Sequence, residues 1–296
     1  MSGQAARCKK PLAYHLADAS RVNELAALSR PAAKLARLFW PGPLTLVVPG
    51  LNGKNVGLRV PAHPVARRLL AEARVFVQAT SANLSGGDEP ASARQVLDAF
   101  DGAIDLVLDA GTLPRPAPST VFRIAGEELS LLREGALAGN ADANAVREAA
   151  RETLLFVCRG NTCRSPMAAA LAARDLRRRG RSEIKIMSAG TDVWDEQPAT
   201  PEAVQAMKMD ARDLDISGHR SRPLTLDMIE RADTIYVMER AQKRSLLEMV
   251  PSAADRVTLL DPAGRHIRDP CGGTRQEYSV CRGEIAACLE EVLGAL

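Results

Sequence analysis

Residues Leu154 to Pro166 read Leu-Leu-Phe-Val-Cys-Arg-Gly-Asn-Thr-Cys-Arg-Ser-Pro, and bring together a thiol at Cys158, a guanidinium at Arg164 and a hydroxyl at Ser165. The apolar run is expected to be a buried strand that delivers Cys158 to its carboxyl end. Ser165-Pro166 has the form of a helix start, with a capping hydroxyl and a proline in the first turn. Between them, Arg159, Gly160, Asn161, Thr162 and Cys163 form a loop at the positive end of that helix, with backbone N–H groups facing the thiol. Such a setting lowers a thiol pKa and binds an anion in the same place. Arg164 adds a planar fork matched to two phosphate oxygens. The chemistry expected is nucleophilic attack on phosphorus from the floor of a phosphate cradle. No Gly-Lys-Ser/Thr closes the loop, so a nucleotide-binding Walker loop is a poorer fit.

The elements needed to position this loop are legible around it. After residue 152 the pattern alternates: strand 153–158, helix 165–179, strand 183–188, helices 201–210 and 225–231, strand 233–238, helix 240–249, strand 256–260 and a final helix from about 275. This order predicts a doubly wound, four-stranded parallel sheet of Rossmann-like α/β type. The Arg177-Arg178-Arg179 run fits a solvated helix end that complements the dipole. Before the small-residue stretch 138–152, a candidate linker without hydrophobic periodicity, β-rich runs at 44–48, 56–60, 75–80, 105–109 and 119–124 alternate with helices near 31–39, 64–72 and 92–99. That is a mixed α/β domain over 1–137, followed by a second domain over 153–296.

Composition narrows the function classes. The chain has 296 residues, enough for two domains. Hydrophobic residues make up 46% and charged residues 25%, which excludes wholesale disorder. A net charge of +3 implies no nucleic-acid surface by itself, and 3% aromatics argue against base-stacking platforms. No apolar run reaches the length of a membrane span or resembles a secretory leader, so a soluble, cytoplasmic protein is expected. The six cysteines include no C-x-x-C pair, so a structural zinc site is not expected and no metal is assigned. Cys281 and Cys288 fall on one helix face as core residues. Cys163 is either a small loop filler or a resolving thiol that forms a reversible disulfide with Cys158.

The Cys158–Pro166 segment resembles the signature of the low-molecular-weight protein tyrosine phosphatase family. Ser188-Ala189-Gly190-Thr191, His219-Arg220-Ser221-Arg222 and Asp269-Pro270 match as well. The resemblance implies a cysteinyl-phosphate mechanism. Cys158 attacks phosphorus, Arg164 and the loop from Arg159 to Cys163 hold the oxygens, and Asp269 protonates the leaving group and then activates water. It also implies that Ser165 steadies the thiolate, that Asn161 braces the loop, and that phosphorylated proteins are the substrates without a cofactor. His219 is expected to be a satisfied structural histidine. A covalent intermediate splits one hard displacement into two, a poor leaving group needs a positioned acid, and Asp269-Pro270-Cys271-Gly272-Gly273 suits a mobile one. Thr162, where tyrosine-directed members carry a larger aliphatic residue, and the lack of aromatics after Asp269-Pro270 resemble the protein-arginine phosphatases of the family. Phosphoarginine is therefore the expected substrate, with phosphotyrosine the alternative; Trp194 is either one aromatic wall or a loop anchor. An arsenate reductase would need two further redox cysteines in mid-domain, and none occurs between Arg164 and Cys271.

In the first half, Phe39-Trp40-Pro41-Gly42-Pro43-Leu44-Thr45, Arg59-Val60-Pro61, Ser81-Ala82-Asn83 and Ser119-Thr120-Val121 resemble the YrdC-like threonylcarbamoyl-AMP synthase family. By position the resemblance assigns Ser81, Asn83, Ser119 and Arg133 to an ATP site and Arg59 to a structural role. It implies a link to tRNA modification and, in some members, to double-stranded RNA. The family's opening strand, its Pro-Thr-Asp-Thr segment and its Lys-x-Arg element have no counterpart before Cys8-Lys9-Lys10. The expectation is an N-terminally truncated domain with an unpaired sheet edge that makes no threonylcarbamoyl-AMP. That half is then expected to be a remnant, an interaction or regulatory module, or the tail of a longer protein whose start lies upstream.

Overall fold

A computed structural model describes residues 12–84, 87–113, 117–139, 143–208 and 214–294. It separates into two compact units, Met1–Ala150 and Arg151–Leu296. Among the described residues no helix is long and apolar enough to cross a membrane.

The first unit runs β1 (Ala13–His15), α1 (Arg30–Phe39), β2 (Leu44–Pro49), β3 (Asn55–Arg59), α2 (Pro64–Ala73), β4 (Val77–Ala79), α3 (Ala93–Phe100), β5 (Thr120–Ala125), β6 (Glu128–Arg133) and α4 (Ala143–Ala150). Its mixed sheet has the order β4-β1-β3-β2-β5-β6. Alternate residues of β2 (Leu44, Leu46 and Val48) join Leu58, Phe122 and Ile124 in a core closed by Leu35 and Ala36 of α1. Two expectations fail. Residues 105–109 form no strand, and Leu106 and Leu108 stand 75% and 54% exposed; a strand needs a neighbour for its backbone groups, and among the described residues none pairs with this run. The segment read as a linker carries α4, with Val146, Ala149 and Ala150 buried in the first unit's core. Their i, i+3, i+4 spacing makes a buried stripe, but alanines give it too little hydrophobic contrast to stand out. Residues 140–142 of that segment lie outside the described residues.

The second unit runs β7 (Thr153–Cys158), α5 (Arg164–Arg178), β8 (Lys185–Gly190), α6 (Pro201–Lys208), α7 (Leu226–Arg231), β9 (Thr234–Val237), α8 (Arg240–Met249), β10 (Val257–Leu259) and α9 (Arg275–Gly294). Its four strands are all parallel, in the order β10-β9-β7-β8. Every residue of β7 is buried, as a central parallel strand covered on both faces requires. Leu154, Phe156 and Cys158 pack with residues of α5, α6 and α9, while Leu155 and Val157 pack with residues of α7 and α8. The chain winds from β7 to β8 on one side and from β9 to β10 on the other. The crevice at the carboxyl ends of β7 and β9 is therefore the place where such sheets take ligands. Cys158 ends one strand and Glu239 follows the other.

Candidate active site

The loop from Cys158 to Arg164 joins β7 to α5 and is held from behind by a closed hydrogen-bond network. Asn161 is fully buried with φ +53, a left-handed conformation that asparagine tolerates better than most residues. Its Nδ2 donates to Ser165 Oγ (2.8 Å) and Ser188 Oγ (3.1 Å), its Oδ1 accepts from the Arg222 N–H (3.0 Å), and its carbonyl accepts from His219 Nε2 (2.7 Å). A carbonyl can only accept, so Nε2 carries the proton; burial pushes the His219 pKa down and favours the neutral ring. The Ser188 and His219–Arg222 motifs thus converge on one loop residue. Gly190 completes the fit: a Cβ there would lie 2.5 Å from the Arg159 carbonyl oxygen and 3.0 Å from the Asn161 nitrogen. The loop lies against β8 only because that position has no side chain.

Within this frame Cys158 Sγ lies 3.0 Å from Ser165 Oγ and accepts the Asn161 N–H at 3.2 Å. Ser165 departs from its expected capping role. Helix α5 starts one residue earlier, at Arg164, and its N-cap residue Cys163 makes no side-chain cap bond. The Ser165 hydroxyl turns instead to the thiol, to Asn161 and, at 3.3 Å, to the Ala189 carbonyl. With Nδ2 of Asn161 donating to it, its single proton can serve either Ala189 or a thiolate.

Arg164 is 1% exposed. Its NH1 donates to the Glu239 carboxylate and to the Ile267 carbonyl (2.9 Å), and its NH2 donates to Asp269 Oδ2 at 2.5 Å. Its Nε is buried and has no hydrogen-bond partner among the described residues. Glu239 escaped the sequence reading. The signal that could have found it is its place directly after β9, beside the switch point. One expectation, that the loop lowers the Cys158 pKa, is reversed. Burial pushes the thiol up, outweighing the Ser165 hydroxyl, the Arg164 charge and the Asn161 N–H. Two carboxylates already draw on the Arg164 charge. Removing one of them in Glu239→Gln should release part of that charge to the sulfur. The pH profile of Cys158 alkylation by iodoacetamide should then move to lower pH, with roughly tenfold faster reaction at neutral pH; an unmoved or rising profile would contradict this coupling.

Above the loop is a cavity of about 260 Å³ lined by Cys158, Arg159, Gly160, Thr162, Cys163, Arg164, Asp192, Asp269 and Cys271. The loop residues expected to bind substrate, Asn161 and Ser165 excepted, thus share one cavity with Asp269; those two brace it from behind. No lining residue is aromatic. Trp194 is 91% exposed and donates its indole N–H to Asp192 at 2.9 Å, and Asp192 in turn pairs with Arg159 at 3.0 Å. Cys163 is buried, its sulfur within 3.4 Å of Tyr278 OH and 3.5 Å of the Thr162 and Thr200 hydroxyls. Cys281 and Cys288 are core residues of α9.

In the first unit, Ser81, Ser119 and Arg133 line a cavity of about 680 Å³ together with His15, Thr45 and Arg59. Arg133 donates to both the carbonyl and the hydroxyl of Ser119 (3.0 Å each), and that hydroxyl meets Thr45 Oγ1 at 2.8 Å. Arg59 donates to the Gly42 carbonyl at 3.1 Å, as a structural arginine would, yet also faces the cavity. Asn83 does not line it; its amide donates to the Gly87 carbonyl at 2.6 Å, closing its own turn.

Residues 153–296 match the family model described as low molecular weight phosphotyrosine protein phosphatase. A protein-arginine-phosphatase of Bacillus subtilis is 34% identical over 143 residues, 47% of this chain and 93% of the relative. A probable low molecular weight protein-tyrosine-phosphatase, EpsP, of Ralstonia solanacearum is 42% identical over 109 residues, 37% of this chain and 70% of the relative. Through its second unit the chain belongs to the low molecular weight phosphotyrosine protein phosphatase family. Residues 5–135, ahead of this phosphatase-family unit, match the Sua5/YciO/YrdC model described as telomere recombination. There a threonylcarbamoyl-AMP synthase of Pyrococcus abyssi is 37% identical over 139 residues, 43% of this chain. The chain spans only 40% of the length of that relative and of the Bacillus subtilis synthase it also matches.

Proposed function

We propose that the second unit hydrolyses phosphorylated protein side chains through a cysteinyl-phosphate intermediate and prefers phosphoarginine. The observation that carries this reading is the meeting of Cys158, Arg164 and Asp269 around one cavity, with the Ser165 hydroxyl behind the thiol. An arriving phosphoryl group takes the loop N–H groups and the free Nε of Arg164. Its negative charge competes with Asp269 for the guanidinium and frees that carboxyl to face the leaving group. The freed Asp269 carboxylate takes the proton of the Cys158 thiol, and the resulting thiolate, accepting a hydrogen bond from the Ser165 hydroxyl, attacks phosphorus. The P–N or P–O bond breaks, and Asp269 gives its proton to the departing nitrogen or oxygen. The same carboxylate then takes a proton from water as it attacks the phosphocysteine, releasing phosphate and restoring the thiolate. No metal or organic cofactor enters these steps.

The preference for phosphoarginine draws on the walls of the cavity. They offer no ring to sandwich a phenyl group, and they carry the carboxylates of Asp192 and Asp269, which suit a cationic guanidinium. Thr162 leaves more room than a branched aliphatic chain. Turnover of matched phosphoarginine and phosphotyrosine peptides tests this: kcat/KM should favour phosphoarginine by roughly tenfold or more, and Thr162→Ile should erode that ratio through a worse fit. A wild-type preference for phosphotyrosine would refute the assignment.

For the first unit, the convergence of Arg59, Arg133 and Ser119 on one cavity favours an anionic ligand such as ATP. The threonylcarbamoyl-AMP synthase relatives make adenylate formation, with a link to tRNA modification, the second reading. Release of pyrophosphate from ATP that depends on threonine and bicarbonate is its assay.

A further inference from the structure

Two oppositely charged side chains, Arg159 and Asp192, line the cavity of the second unit without entering the bond-breaking steps above. Both belong to segments tied directly to the nucleophile. Arg159 follows Cys158 in the loop, and the chain leaving β8 is bonded to the same two residues. The Thr191 N–H donates to the Cys158 carbonyl and the Asp192 N–H to the Arg159 carbonyl, each at 3.0 Å. The backbone therefore fixes residue 192 beside the loop, and its carboxylate is oriented from two sides. Oδ1 accepts the Trp194 indole N–H at 2.9 Å, and Oδ2 accepts Nε of Arg159 at 3.0 Å. The Arg159 bond, and after it the indole bond, hold the carboxyl below the usual carboxylate range, so it is charged at neutral pH. A guanidinium thus already sits on an oriented carboxylate in the wall of the phosphate cavity. The pair is open to water, with the Arg159 side chain 73% and that of Asp192 39% exposed, and such a pair holds weakly and changes partners readily.

We propose that Asp192 reads the guanidinium of a phosphoarginine substrate, and that Arg159 is a built-in stand-in for that group, displaced when the substrate arrives. The inference rests on the phosphoarginine reading of the cavity and names the residues that enforce it. In phosphoarginine the phosphorus is bonded to a guanidinium nitrogen. Once the phosphoryl group lies on the loop above Cys158, the guanidinium lies in the same cavity or its mouth. Its remaining N–H groups form a planar donor edge suited to a carboxylate. A phosphotyrosine ring presents no such donors and leaves Arg159 on Asp192. The exchange swaps one guanidinium for another, so the Asp192 charge stays paired while the Arg159 side chain moves into water. Removing Arg159 and neutralising Asp192 therefore act in opposite directions on the choice of substrate. That difference in sign separates a displaced competitor from an arginine that holds the phosphoryl group, whose loss would weaken both substrates alike.

The full chain is assayed on matched phosphoarginine and phosphotyrosine peptides, and the ratio of the two kcat/KM values is the readout. Both substrates are turned over by the same molecules, so any loss of folded enzyme cancels from the ratio. Asp192→Asn keeps an oxygen for the Trp194 indole and removes the charge. It should lower the ratio at least about fivefold, through slower phosphoarginine turnover. Arg159→Ala should raise the ratio roughly two- to threefold, because no competitor has to be displaced. In the double variant the effect of Arg159→Ala should vanish. An Asp192→Asn ratio within about twofold of wild type overturns the proposal. So does a ratio that falls only because phosphotyrosine turnover rises, or an Arg159→Ala ratio below that of wild type. A wild type that prefers phosphotyrosine removes the phosphoarginine reading and this proposal with it. A wild type that prefers phosphoarginine, with the preference intact in Asp192→Asn, removes the role of Asp192 alone.

Discussion

Cys158→Ser should abolish turnover of phosphorylated peptides, by roughly 10⁴-fold or more in kcat/KM, while leaving the fold intact. The substitution keeps the volume and the hydrogen-bonding capacity of the side chain, so the Ser165 and Asn161 contacts at 3.0 and 3.2 Å retain partners. In the proposed mechanism what is lost is the thiolate: a serine hydroxyl ionises far less readily than a thiol, and the one carboxylate proposed to take a proton at this site, Asp269, is also the proposed acid. Steady-state hydrolysis of a phenyl phosphate measures the loss, and an unchanged circular dichroism spectrum and melting temperature show that the scaffold survives. Residual turnover within tenfold of wild type would remove Cys158 from the mechanism. Loss of hydrolysis with an unchanged cellular role would point instead to a regulatory binding module.

Arg164→Lys should cost roughly 10³-fold in kcat/KM despite keeping the charge. The guanidinium makes four separate uses of its geometry: NH1 serves both Glu239 and the Ile267 carbonyl, NH2 serves Asp269, and Nε is left for the anion. An ammonium on a single stem cannot span the two carboxylates and the anion at once. Because the residue is 1% exposed and packed into the unit, the lysine also leaves buried donors and acceptors short of partners, and a lower melting temperature should accompany the kinetic loss. The kinetic defect should exceed what unfolding explains when assayed well below the transition. Equal phosphate inhibition in wild type and variant would show that Arg164 does not hold the anion.

Much of the second unit was legible because its signals are local. A buried parallel strand is apolar along its whole length, so Leu154–Cys158 announced itself and placed the thiol at a strand end. Helix starts and alternating strands located the other elements of the doubly wound sheet to within a few residues. The first unit was less legible where small residues carried the packing, as in α4, or where an alternating apolar run found no partner strand, as at 105–109.

Sequence alone singled out the candidates for chemistry, Cys158 and Arg164 from type and spacing and Asp269 from the resemblance, and the resemblance also gave Asn161 the bracing position it occupies. Tertiary structure decided how these residues are used at rest. Glu239 enters only because β9 lies next to β7 in the sheet, a neighbour relation between residues far apart in the chain. The Ser165 hydroxyl, assigned to a helix cap by the Ser-Pro pattern and to the thiolate by the resemblance, turns to the thiol and makes no cap bond. The direction of the Cys158 pKa shift likewise could not be read from the motif, because it depends on how far burial outweighs the Ser165 hydroxyl, the Arg164 charge and the Asn161 N–H. Motifs specify donors, acceptors and nucleophiles; solvent exclusion and long-range charge pairing exist only once the chain has closed around them.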